Sequence, residues 1–158
     1  MSQWDVIALA FSGITALGIG ILLWQVCILN KQNRRNAFNS LLQQWGDIER
    51  REYRRYVISE FKFGKGDNLE DLEDEPRKKV ESVLAIYDRT SFLAEKHLIS
   101  KKDVWEIIGR SMVQCWDKTE NFIKARRRRR NEPEEGEPSS YVYYFQQFVT
   151  KNRKKLGM

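Results

Sequence analysis

The chain is 158 residues long, with 28 Lys and Arg against 22 Asp and Glu and a single histidine, and carries a formal charge of +6. One histidine excludes a His-paired metal site within one chain, and two distant cysteines, Cys27 and Cys115, exclude a disulfide framework and suit a reducing cytoplasm. An aromatic content of 12% argues for a packed core rather than a disordered chain.

Val6 to Asn30 contains no charged residue, and Lys31, Arg34 and Arg35 follow at once. A helix needs about 20 mostly apolar residues to cross a bilayer core. Trp4 and Trp24 stand twenty residues apart, roughly 30 Å along a helix, which matches two interfacial aromatic belts. A cleaved signal peptide would begin with a basic segment. Here the start is Met1-Ser2-Gln3-Trp4-Asp5. The expectation is an uncleaved membrane-spanning anchor over residues 1–30. Its basic flank, residues 31–35, holds the following chain in the cytoplasm and leaves the N-terminus outside. Along the anchor Ala8, Ser12, Ala16 and Gly20 recur every four residues, a spacing that lets two helix backbones approach.

The region 36–130 reads as a helical cytoplasmic domain. Phe38, Leu41, Leu42, Trp45, Ile48, Tyr56 and Val57 recur at helical steps through residues 36–62, and Phe63–Asn68 is a Gly-rich stop. After an acidic segment, Pro76 suits the first turn of a second helix that reaches about Lys96, with Val80, Val83, Leu84, Tyr87 and Ser91 on one stripe. Ser100 and Asp103 resemble a capping box. They open a third helix with Val104, Ile107, Ile108, Met112, Cys115, Trp116, Phe122 and Ile123 inward, which ends in Arg126–Arg130. Residues 131–140 form an acidic Pro/Gly loop. Ser139 or Ser140 is expected to cap a last helix within 141–158, ahead of a basic tail. The fold class is all-α: an N-terminal transmembrane helix followed by a small antiparallel bundle.

In an antiparallel bundle the two ends differ. Lys31, Arg34, Arg35, Lys101, Lys102, Lys151, Arg153, Lys154 and Lys155 fall at the membrane-proximal end. Arg126, Arg127, Arg128, Arg129 and Arg130 fall at the far end beside the acidic loops, some 40 Å away, beyond the reach of a lipid surface. Three readings follow for this run: a solvated cationic helix end, pairing with the acidic loops of the same or a neighbouring chain, or binding of a polyanion such as nucleic acid. The flanking glutamates oppose the last, and no nucleic-acid motif accompanies the run. Trp105 stands off the main stripe of its helix and is a candidate contact with a partner. No phosphate loop, nucleophile elbow or Cys-x-x-Cys is present, so no enzymatic activity and no cofactor is expected. Tyr87 lies on the apolar face, where its ring belongs to the core and its hydroxyl needs a partner.

Ile86-Tyr87-Asp88, then Leu98-Ile99-Ser100-Lys101-Lys102-Asp103, then a helix holding Trp105 and Trp116 resemble an uncharacterised, mostly bacterial family known as a domain of unknown function. Its members pair one N-terminal anchor with a short helical cytoplasmic domain. The resemblance implies no activity and suggests a cell (inner) membrane location. The expected role is a membrane-anchored protein-interaction or accessory subunit, as adaptor or homo-oligomeric scaffold. The alternative is a tethered binder of nucleic acid or anionic lipid.

Overall fold

The computed structural model describes residues 3–153, with the side chains of residue 3, residues 5–14 and residue 16 left out. Among the described residues there are five α-helices and no strand: α1 (Gln3–Gly46), α2 (Ile48–Ser59), α3 (Asp74–Glu95), α4 (Lys101–Arg129) and α5 (Tyr143–Arg153). The chain divides into two units, one ending at Phe38 and one beginning at Asn39.

The first unit is helical. Leu17, Ile19, Ile21, Leu22, Leu23, Trp24, Val26 and Leu29 are all exposed. Because they are nearly consecutive, they cover every face of the helix. Trp4 is exposed as well, as are Lys31, Arg34 and Arg35. Among the described residues, no helix is long and apolar enough to cross a membrane. Many side chains of the predicted anchor, including those of Ala8, Ser12 and Ala16, are not described. Of that small-residue stripe only Gly20 is fully described, and nothing lies within 4 Å of the Cβ it lacks.

The second unit is built on one core. Residues 36–62 do not form a single helix as their periodicity suggests. α1 stops at Gly46, and Asp47 starts α2 by accepting a hydrogen bond from the Glu49 amide (3.1 Å). Arg54 closes the break, donating to the Trp45 carbonyl (2.9 Å) with its guanidinium 4.7 Å from the Trp45 ring centroid. Trp45 meets Tyr87 on α3 edge-on, with centroids 4.8 Å apart, and Lys79 lies over Tyr56. The segment from Trp45 through α2 therefore runs antiparallel to α3.

Phe61 and Phe63, just past α2, turn inward and meet Phe122 edge-on. α3 begins at Asp74, so Pro76 sits within its first turn, where a missing N–H costs nothing. α3 and α4 form an antiparallel hairpin whose register is marked by Lys101–Glu95 (2.9 Å), Tyr87–Ser111 (2.7 Å) and Arg126–Glu81 (2.9 Å). The turn between them is a left-handed helix cap: His97 has φ 57°, its amide reaches the Ala94 carbonyl, and the Leu98 amide reaches Leu93 (2.9 Å). Ser100 accepts from the Asp103 amide (3.2 Å) and begins α4. Asn131 (φ 55°) ends α4 in the same manner, with the Glu132 amide on the Arg127 carbonyl. α5 lays Phe145, Phe148 and Val149 into the core, with Phe145 stacked on Tyr87 and edge-on to Trp116.

Two sequence expectations are corrected here. Ser140 does not cap α5. Its hydroxyl accepts from the Glu137 amide (2.8 Å) and closes a turn of the loop, so the helix starts only at Tyr143 and Tyr141 lies outside it. The cap comes from another helix: Asp88 on α3 accepts from the Phe145 amide (2.9 Å). Ile107, placed on the inward stripe of α4, is exposed instead.

Candidate functional site

The arginine run is the most concentrated chemistry in the second unit, and the fold gives each member a different task. Arg126 pairs with Glu81 on α3 at 2.9 Å, both partly buried. Arg128 reaches Glu134 at 3.5 Å, Arg129 reaches Glu70 at 4.0 Å and Arg130 reaches Glu132 at 3.7 Å. These three guanidiniums are about half exposed, so their pairs contribute little to stability.

Arg127 is different, because it is fully buried. Its Nε (3.0 Å) and Nη2 (2.8 Å) donate to the Tyr141 carbonyl. Its Nη1 donates to the Glu134 carbonyl (2.8 Å) and to Gln146 Oε1 (2.7 Å). One guanidinium thus holds the acidic loop and α5 together against α4. Burial lowers its pKa, while Glu132 and Asp88 favour its charge. Gly136 takes φ +79°, and a Cβ there would lie 2.7 Å from Arg127 Nη1, so glycine is required for the loop to close over the clamp. Tyr141 lies beneath Arg130, 5.2 Å from guanidinium carbon to ring centroid, and burial raises its hydroxyl pKa. The run is therefore bound to its own loops, and Arg127 presents no surface to any partner.

Beside the run lies an open cleft of about 480 Å³, lined among others by Lys65, Asn68, Glu70, Arg128 and Arg129. Its charges are mixed, and Arg128 and Arg129 already face the carboxylates of Glu134 and Glu70. Among the described residues, no group of His, Cys, Asp and Glu is placed to hold a metal ion.

Trp105 is half-buried rather than free. Its ring lies against Gly109, whose added Cβ would sit 2.7 Å from it, and near Phe148 at 6.0 Å. Of the tail cations, Lys151 approaches Glu95 (3.8 Å) and Arg153 pairs with Asp117 (3.0 Å). Lys154 and Lys155 lie outside the described residues. Tyr87 is fully buried, its hydroxyl shares a hydrogen bond with Ser111, and burial raises its pKa. The Cys115 thiol is buried and pushed up to about 12. These groups belong to the core.

Sequence reasoning grouped the five arginines together and missed the clamp. The signal was there: Arg127 stands four residues after Ile123 and eleven after Trp116, on the inward stripe of α4. Asp88 as a cap for α5 had no local signal, because its partner lies 57 residues away.

No curated protein and no solved structure matches the chain. A family model does match, over residues 12–151, and it is described as a domain of unknown function (DUF4760). That match takes in all but the extreme ends, and the chain belongs to this DUF4760 family.

Proposed function

We propose that the chain is a single-pass membrane protein whose helical domain serves as a protein-interaction or accessory subunit, an adaptor or a homo-oligomeric scaffold. It sits in the cell (inner) membrane with its N-terminus outside and residues 31–158 in the cytoplasm. The observation that carries this reading is the stretch from Leu17 to Leu29, apolar but for Gln25 and exposed on every side of its helix, followed by exposed Lys31, Arg34 and Arg35. A helix apolar all round requires a surrounding apolar medium. Lipid supplies one, and the basic flank favours the cytoplasmic side. The second unit has a core of its own, which suits a domain held at the membrane to receive other chains.

The engagement of Arg126–Arg130 with Glu81, Glu70, Glu132 and Glu134 favours this reading over a tethered binder of nucleic acid. A phosphate chain would have to displace carboxylates already in place, and Arg127 is out of its reach. The test is purification of the full chain from native membranes in mild detergent, with crosslinking. The expected result is a defined oligomer or a stoichiometric copurifying protein. A monodisperse monomer that captures nothing under crosslinking would overturn the reading.

A further inference from the structure

Nearly every charged side chain of α4 is engaged within the fold. Lys101 pairs with Glu95, Lys102 with Glu106, Asp117 with Arg153 and Glu120 with Lys124. Arg126, Arg128 and Arg129 meet Glu81, Glu134 and Glu70, and Arg127 is the clamp. Among the described residues, the side chains of Asp103, Arg110 and Lys118 have no hydrogen-bond or ion-pair partner. Lys118 lies two turns past Arg110. Asp103 and Arg110 are both exposed, and between them stands Ile107, 55% exposed. Ile107 comes four residues after Asp103 and three before Arg110, so the three side chains share one face of the helix. Asp103 in the first turn suits the positive end of α4. Nothing within the unit engages Arg110 or covers Ile107.

The face reads acid, apolar, base along the chain, and base, apolar, acid from the other end. Laid against a second α4 running the opposite way, Asp103 comes level with Arg110 of the second copy, and Arg110 with its Asp103. The two-fold axis then passes between residues 106 and 107. Such reciprocity, in which residue i meets j and j meets i, is the property of a contact between identical chains. Ile107 meets its own copy beside the axis. Glu106 stands on the other flank of the face, where Lys102 lies 3.7 Å from it. A parallel pair would set Asp103 on Asp103 and Arg110 on Arg110, which like charges oppose. The charges therefore select the antiparallel direction.

We propose that the Asp103–Arg110 face of α4 is a two-fold interface with a second copy of this chain, Ile107 packing on Ile107 between two Asp103–Arg110 ion pairs. The inference rests on the homo-oligomeric form of the reading above and names its surface. Two helices touching over about two turns bury less than the roughly 1,000 Å² of a stable complex. The contact is therefore weak in free solution and gains from holding both copies in one membrane.

The test uses isolated membranes from cells expressing the full chain with Cys27→Ser, which removes the exposed thiol and leaves the buried Cys115. Ile107→Cys is treated with a short bis-maleimide, and covalent dimer is read by mass. Lys118→Cys is the control, because its two copies stand about 35 Å apart in this arrangement. Dimer should form at Ile107→Cys and be at least about fivefold lower at the control. Adding Arg110→Asp or Asp103→Arg sets like charges opposite each other and should cut the dimer by about fivefold or more. Coexpressing those two variants should restore it, since each supplies the charge the other lacks, and restoration also shows that both fold. Equal dimer at both cysteines would overturn the proposal. So would charge reversals without effect, a coexpressed pair that stays apart, or an adduct to a different protein at Ile107→Cys. Pull-down of an untagged copy by a tagged one in mild detergent reads self-association separately. Copies that copurify without the Ile107→Cys dimer refute this face and leave the homo-oligomeric reading standing. Copies that neither copurify nor crosslink refute both.

Discussion

Replacing Arg127 by Ala removes one side chain and strands three acceptors: the Tyr141 carbonyl, the Glu134 carbonyl and Gln146 Oε1. Hydrogen bonds to a charged donor contribute about 1.5–3 kcal/mol each. Its four bonds would reach about 6 kcal/mol by that measure, but the loop carrying Glu134 is exposed and water re-solvates part of what is lost. Opening a buried charge contact costs about 3–5 kcal/mol, and the exposed loop places this case near the lower figure. About 3 kcal/mol corresponds to a fall in Tm of roughly 10–15 °C for a domain of this size. Arg128→Ala is the control. Its pair with Glu134 is 3.5 Å long and half exposed, so the cost should stay under about 0.5 kcal/mol. Thermal unfolding followed by tryptophan fluorescence reads both, since Trp116 packs on Phe145 of α5. Arg127→Lys keeps the charge but lacks the fork, and should recover less than half of the loss. If Arg127→Ala and Arg128→Ala differ by less than about 1 kcal/mol, the clamp does not hold the loop and α5.

Gly136→Ala should lower stability by about 1–3 kcal/mol in urea unfolding, since its Cβ would press on a guanidinium already fixed by hydrogen bonds. Gly66→Ala, with nothing within 4 Å of the added carbon, should change it by no more than about 0.5 kcal/mol. Burial raises the Asp88 carboxyl above the usual carboxylate range, while the amides of Phe145 and Tyr144 and the charge of Arg127 pull it down. Its folded pKa exceeds its unfolded one, so its contribution is complete below about 3.8 and is lost as pH rises through the folded value. Asp88→Asn keeps an acceptor for the α5 cap. It should be at least as stable as the native chain at neutral pH and show a flatter decline in a series of urea midpoints from acid to neutral pH. Asp88→Ala should lose about 1 kcal/mol at neutral pH. Cys115, buried and with its thiol held up near 12, should resist alkylation until denaturant is added, as mass spectrometry of the alkylated chain would show.

The helical character of the fold was legible because its apolar residues recur at helical steps. α3 and α4 carry long stripes, and Ser100 with Asp103 marks where α4 begins. The break at Asp47 was not legible from periodicity, since Leu41, Trp45 and Tyr56 keep helical spacing across it. It depends on Arg54 reaching back nine residues to the Trp45 carbonyl. The late start of α5 has the same origin. Ser140 has the chemistry of a cap, but the loop uses its hydroxyl, and Asp88 supplies the cap across the core. In the arginine run, composition displayed five equal charges. Helical phase made one of them a core residue and left the others at the surface. Local patterns specify helices well, whereas long-range polar contacts decide which ends and charges remain available.

The central claim is that the N-terminal helix holds the chain in a bilayer. Alkaline carbonate extraction of membranes from cells expressing the untagged full chain tests it most directly. The account predicts that the chain stays in the membrane pellet at full length and is released only by detergent. Quantitative release into the carbonate supernatant, uncleaved and monodisperse without detergent, would contradict it.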